Sequence, residues 1–119
     1  MAVRFIESYV HTNRIGVLVE LEAADDFATR TDEFRELARD IAMQVAASDP
    51  ASDEDDDLKI VASKLGRNIL PQAVEKTLMS QPFIKNQDLT VADRIKEIDL
   101  QLHANIKVIR YVRFEAGAA

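Results

Sequence analysis

Residues 31–47 (TDEFRELARDIAMQVAA) place Phe34, Leu37, Ala38, Ile41, Ala42 and Val45 at i, i+3, i+4, i+7, i+8 and i+11. That spacing draws one continuous apolar stripe down a 3.6-residue helix, with charges on the opposite side. Thr31 stands where an N-cap is needed, and Asp32 and Glu33 suit the positive end of the helix dipole. Such a stripe has to be buried, so the rest of the chain must supply a second apolar layer.

Two runs before it qualify. Residues 3–11 (VRFIESYVH) and 15–21 (IGVLVEL) are rich in β-branched and aromatic residues, and Ile15, Val17, Val19 and Leu21 share one side of a period of two. Thr12, Asn13 and Arg14 form a short polar connection, with Asn13 suited to a left-handed position, which predicts an antiparallel hairpin. Near the C-terminus, residues 105–115 (NIKVIRYVRFE) alternate again. Ile106, Val108, Val112 and Phe114 fall on one face, and Lys107, Ile109, Tyr111 and Arg113 on the other. Between these, Thr90 and Asp93 form a T-x-x-D cap before a stripe of Val91, Ile95, Ile98 and Leu102. Residues 58–65 read as a short helix closed by Gly66, residues 71–80 as a second opened by Pro71, and Pro82 as an extended or turning position. The tail 116–119 is expected to fray. The order β-β-α-α-α-α-β predicts an α+β fold, a three-stranded antiparallel sheet with helices packed on one face.

Charge is unevenly distributed. The net charge is −6, and residues 49–57 (DPASDEDDD) hold six acids and no base. Setting them aside leaves 15 acids against 15 Lys plus Arg, a neutral body beside an acidic loop at 48–57. Nucleic-acid binding is disfavoured, because phosphates call for a basic patch. At 119 residues the chain is one domain, and no apolar run approaches the roughly 18 to 20 residues of a membrane span.

The chemistry-bearing residues are sparse. There is no Cys, so neither a disulfide nor a thiolate nucleophile is available. His11 and His103 have no partner at metal-ligand spacing, and the acidic run lacks the glycine and bidentate Glu of an EF-hand. Gly16, Gly66 and Gly117 make no phosphate-binding loop. The pair Asp25–Asp26 precedes a helix, where the dipole alone explains adjacent acids. No enzyme site, no metal and no cofactor is expected. One residue stands apart: Phe27, in the polar stretch EAADDFATRTDE (residues 22–33). It reads either as a staple holding the loop to the core or as an anchor projecting towards a partner.

The stretch HTNRIGVLVELEAADDFATRTDEFRELARDIAMQVAA (11–47) resembles translation elongation factor Ts, whose pattern reads H-x-x-x-R-[IV]-G-V-L-V-E-[LV]-N-C-E-T-D-F-V-A-R before a helix ending A-K-D-[IL]-A-M-[QH]-[IV]-A. The stretch SQPFIKNQDLTVADRIKEIDLQLHANIKVIRYVRFEAG (80–117) is similar to that family's Q-P-[FY]-[IV]-K-D and ENI-x-V-R-R-F-x-R-F-x-L-G segments. Glu22-Ala23-Ala24-Asp25 stands for N-C-E-T, and Ala28-Thr29 for the Val-Ala after Asp-Phe. Residues 1–119 then form one elongation factor Ts-like core domain, without the family's N-terminal docking domain and with the acidic loop in place of most of a helical insert.

The resemblance implies a guanine-nucleotide exchange factor for the GTPase elongation factor Tu, promoting GDP release during translation elongation. It assigns partner binding to Asp26 and Phe27, which would intrude between helices of the GTPase, with Asp25 and Arg30 beside them. It implies the bacterial cytoplasm or an organelle matrix. It also implies pairing of two chains through the sheet that carries the last strand, with Ile109, Tyr111 and Arg113 on the dimer or partner surface; the alternative is an edge covered by the chain's own helices. The altered motif flanks support a different function, an exchange-inactive structural or assembly subunit of a larger complex.

Overall fold

The computed structural model describes residues 2–48, 60–63, 66–69 and 78–117. Strands β1 (Val3–His11) and β2 (Ile15–Ala23) pair antiparallel from Val3↔Ala23 to His11↔Ile15. Their connection works because Thr12 and Asn13 both lie in the left-handed region, at φ 52° and 60°. The Arg14 amide closes the turn by donating to the His11 carbonyl at 3.0 Å. A four-residue helix, α1 (Asp26–Thr29), follows, and then α2 (Asp32–Ser48). Thr31 caps α2 as expected, its Oγ1 accepting from the Phe34 amide at 3.1 Å.

Helix α2 lies across β1 and β2 and buries the whole stripe from Phe34 to Val45. Val17, Val19 and Leu21 meet it from the sheet, and the Phe34 ring packs edge-on against Phe5 with centroids 5.2 Å apart. Each large side chain sealed here contributes roughly 1.5–3 kcal/mol of transfer free energy. The layer arrangement is the α+β one expected, an antiparallel sheet with helices against it.

The sheet is wider than three strands. Its order is β1-β2-β7-β4-β3, where β3 is Ile60–Ser63, β4 is Gly66–Ile69 and β7 is Lys107–Glu115. The short helix predicted over 58–65 is therefore corrected: its described part, Ile60–Ser63, is a strand, and Gly66 begins the next one. Ile60 and Val61 are β-branched, and β7 offers an open edge of backbone donors and acceptors that β4 satisfies through Arg67↔Arg113, Asn68↔Val112 and Ile69↔Tyr111. Ser48, the first residue of the expected acidic loop, ends α2, while residues 49–57 and most of the predicted 71–80 helix lie outside the described residues; Leu78, near the end of that predicted helix, is buried.

Pro82–Phe83 (β5) and Asn86–Thr90 (β6) form a separate two-stranded ribbon leading into α3 (Val91–Leu102). The polar NQDLT run carried no strand signal in the sequence. Three side chains of α2 fix this ribbon. Gln44, fully buried, donates to the Pro82 carbonyl at 2.8 Å and to Gln81 Oε1 at 3.0 Å, and accepts from the Ile84 amide at 3.0 Å. Ser48 Oγ reaches Gln81 Oε1 at 3.0 Å, and Asp40 receives the Lys85 ammonium at 2.8 Å. Thr90 and Asp93 form the predicted reciprocal cap, each side chain accepting from the other's backbone amide at 3.1 Å. Val91, Ile95 and Ile98 are buried, with Leu102 partly so.

The face assignment along the last strand is corrected. Glu20 pairs with Arg110 but Leu21 pairs with Val108, so Ile109 is an extra residue on β7. This β-bulge shifts the alternation by one position. Val108 and Tyr111 both point into the core, Tyr111 being 2% exposed, while Phe114 is turned out to the surface.

Candidate functional site

Strand β2 ends against the turn between α3 and β7. The Ala24 amide donates to the Ala104 carbonyl at 2.6 Å. That turn is itself built by Asp99, whose carboxylate accepts from the Ala104 amide at 3.1 Å and the Ile106 amide at 3.3 Å, and by His103 in the left-handed region. The chain thus leaves β2 from a braced position and enters α1 at once.

Asp25 caps α1, its Oδ1 accepting from the Ala28 amide at 3.0 Å. The Thr29 hydroxyl donates to the Asp26 carbonyl at 2.8 Å, and the Thr31 hydroxyl to the Ala28 carbonyl at 2.8 Å. Ala28 and Thr29 are buried, which anchors one side of the helical turn in the core. The opposite side faces solvent: Phe27 is 76% exposed, with Asp26 and Arg30 on the same exposed turn. Arg30 Nη2 lies 3.7 Å from Asp26 Oδ2, an exposed i,i+4 pair worth at most a few tenths of a kcal/mol. Phe27 is thus not a staple into the core. It is an aromatic side chain held out by a short, capped and half-buried turn.

Asp25, Asp26, Phe27 and Arg30 are therefore brought together. Ile109, Tyr111 and Arg113 are not. Tyr111 is core and Ile109 sits half-buried at the bulge. Arg113 turns its guanidinium onto the last turn of α2, where Nη2 and Nε donate to the Ala46 carbonyl at 3.1 and 3.3 Å, and Nη2 lies 3.3 Å from Glu115. Helix α2 has no base of its own in that turn, so Arg113 complements its negative end.

The outward face of the sheet carries different residues: Ile6, Val10, Leu18 and Phe114 are all exposed. They are flanked by a charge cluster in which Glu20 receives Arg110 at 2.9 Å and Arg4 at 3.4 Å, and Glu22 receives Arg4 at 3.2 Å. Phe114 lies opposite Gly16, its ring 3.2 Å from where a Gly16 Cβ would stand. That glycine–aromatic cross-strand pair was the available sequence signal for this face.

His11 and His103 are both exposed, and His11 Nδ1 lies 3.0 Å from the Tyr9 hydroxyl. Among the described residues no group of three His, Asp or Glu side chains is placed to hold a metal ion. No helix among them is long and apolar enough to cross a membrane.

Residues 2–70 match the family model described as Elongation factor TS. Elongation factor Ts of Thermodesulfovibrio yellowstonii is 38% identical, the match covering 94% of this chain and 67% of that protein. Elongation factor Ts of Carboxydothermus hydrogenoformans is 39% identical over 94% of this chain and 63% of its own length. The chloroplastic elongation factor Ts of Porphyra purpurea is 39% identical over 94% and 62%. The chain thus spans about two thirds of the length of these relatives, or slightly less. The first match runs over 134 residues, more than the 119 of this chain, so that relative carries residues this chain lacks. A family model matching more than half of the chain and relatives near 38% identity agree: this protein belongs to the elongation factor Ts family.

Proposed function

We propose that this protein is the core of a guanine-nucleotide exchange factor, binding elongation factor Tu and promoting release of GDP during translation elongation. The observation that carries this reading is Phe27, 76% exposed on a turn whose next two residues are buried. A large aromatic held in water by a rigid support is suited to be an anchor, because little ordering cost remains when it enters a partner. Exchange requires the factor to bind the nucleotide-free GTPase more tightly than the GDP-bound one, and that difference is the coupling free energy. Phe27 serves as the intruding group, with Asp26 and Arg30 beside it and Asp25 holding the turn. No covalent chemistry, cofactor or direct nucleic-acid contact is part of this mechanism. The site of action would be the bacterial cytoplasm or an organelle matrix.

Three of the departures from the family pattern are compatible with this reading. Ala28 and Thr29, which replace Val-Ala, face inward, as does Ala23. The outward residues Asp26, Phe27 and Arg30 match the pattern. Asp25, exposed where the pattern has Thr, still supplies a capping oxygen to the turn.

Stopped-flow release of a fluorescent GDP from elongation factor Tu tests the proposal. The wild-type chain should accelerate release in proportion to its concentration, and Phe27→Ala should cost about 2 kcal/mol, roughly thirtyfold. No acceleration at high micromolar protein would favour the second reading, an exchange-inactive structural or assembly subunit. The apolar outer face of the sheet favours self-association in either case, as a homodimer or within a larger assembly.

A further inference from the structure

Helix α1 is one turn long, so its last carbonyls lack partners within the helix. The Thr29 carbonyl closes it, and the side chain that meets this carbonyl comes from α2: Arg35 Nε donates to it at 3.1 Å. The same guanidinium lies over the Phe5 ring, 5.7 Å from its centroid, and Phe5 in turn packs edge-on against buried Phe34. Arg35 therefore ties the end of the turn to both layers of the fold. Helix α1 has no base of its own and its C-cap, Arg30, lies with its guanidinium 3.7 Å from Asp26, whereas Arg35 brings its guanidinium directly onto the Thr29 carbonyl at the negative end of the helix.

We propose that Arg35 is a positioning residue for exchange: by holding the Thr29 carbonyl from helix α2, it fixes the direction in which Phe27 projects. This rests on the exchange reading of the turn. Phe27 is 76% exposed, so its aim depends chiefly on the orientation of α1. That orientation is fixed by the seating of Ala28 and Thr29 in the core, by the Asp25 cap at the start of the turn and by Arg35 at its end. A loosened turn would leave docking by the rest of the surface unaffected and would lower the fraction of docked complexes in which the ring inserts.

The test compares Arg35→Met, Arg35→Gln and Phe27→Ala in the full chain. Met removes the donor at nearly constant length. Gln places its Nε2 the same number of bonds from the backbone as Arg Nε, and so keeps the hydrogen bond without the cation. GDP release from elongation factor Tu is measured across protein concentration, and the order of the Phe27 amide by its heteronuclear ¹⁵N NOE. Arg35→Met should lower the plateau release rate about fivefold, the equivalent of one hydrogen bond, with the half-saturating concentration unchanged. It should also lower the NOE at Phe27, and Arg35→Gln should restore both. A merely structural role would shrink the folded fraction, raising the half-saturating concentration and leaving the plateau; that pattern overturns the proposal. So does a wild-type plateau in Arg35→Met when Phe27→Ala is inactive. If the wild-type chain accelerates nothing, it is the exchange reading that fails, and an undiminished NOE at Phe27 in Arg35→Met then refutes the positioning contact separately. Should Arg35→Met not fold, Arg35→Lys replaces it with the same expectations, since Lys keeps a cation near Phe5 but carries its donor one bond farther out.

Discussion

The Asp25 carboxylate accepts the Ala28 amide at 3.0 Å, and that bond caps the start of the turn from which Phe27 projects. Replacing Asp25 with Ala removes the cap and should cost about 1 kcal/mol of stability, read as a lower urea midpoint. Phe27→Ala, at an exposed position, should leave that midpoint within about 0.5 kcal/mol of wild type. The two substitutions should thus separate: both weaken GDP release from elongation factor Tu, and only Asp25→Ala weakens the fold.

Lys85 and Asp40 join the β5–β6 ribbon to α2. Asp40 is 2% exposed and Lys85 is half in water, with Glu36 3.8 Å from the same ammonium. Lys85→Met leaves a sealed carboxylate without its cation and should destabilise the protein by about 2 kcal/mol; Asp40→Asn in that background should recover part of the loss. The hydrogen bond to Asp40 raises the Lys85 pKa above its ordinary value. A raised folded-state value means that the contribution is complete below the unfolded lysine pKa of about 10.4 and is lost as pH climbs through the folded one. Denaturation midpoints of wild type and Lys85→Met should therefore converge above that pH.

The cap of α3 makes the opposite prediction in acid. Asp93 is held below its ordinary pKa, first by the Thr90 backbone amide and then by the Thr90 hydroxyl. With the folded value depressed, the unfolded chain binds more protons near pH 4. The contribution is complete above the unfolded value of about 3.9 and disappears as pH falls through the folded one. Asp93→Asn should be less stable than wild type at pH 7, and the gap should narrow progressively as pH falls below about 4, measured by urea unfolding at each pH.

The outer face of the sheet makes a prediction about assembly. Leu18 sits near its centre, paired with Ser8 on one side and Val112 on the other. If two copies pair through this face, light scattering should give a dimer at high micromolar concentration, and Leu18→Lys should return it to monomer without lowering the melting temperature by more than a few degrees. A wild-type monomer at that concentration would rule the pairing out.

Local pattern alone determined much of this molecule. The stripe from Phe34 to Val45, the Thr31 and Thr90–Asp93 caps and the β1–β2 hairpin follow from spacing and from residue types whose preferences act within a few residues. The motif around Asp26 and Phe27 could be picked out in the same way, because an aromatic in a polar turn is a local anomaly. Other features depend on partners distant in the chain. Ile60–Ser63 and Gly66–Ile69 become strands only because β7 offers an edge, and the Asn86–Thr90 run is extended only because Gln44 and Asp40 of α2 hold the ribbon beside it. The bulge at Ile109 arises from pairing with β2, and one extra residue is enough to send Tyr111 inward and Phe114 outward. Whether Phe27 would be a staple or an anchor was likewise undecided by its neighbours. Only the seating of Ala28 and Thr29 in the core, with Arg35 reaching across from α2, turns its ring to the solvent.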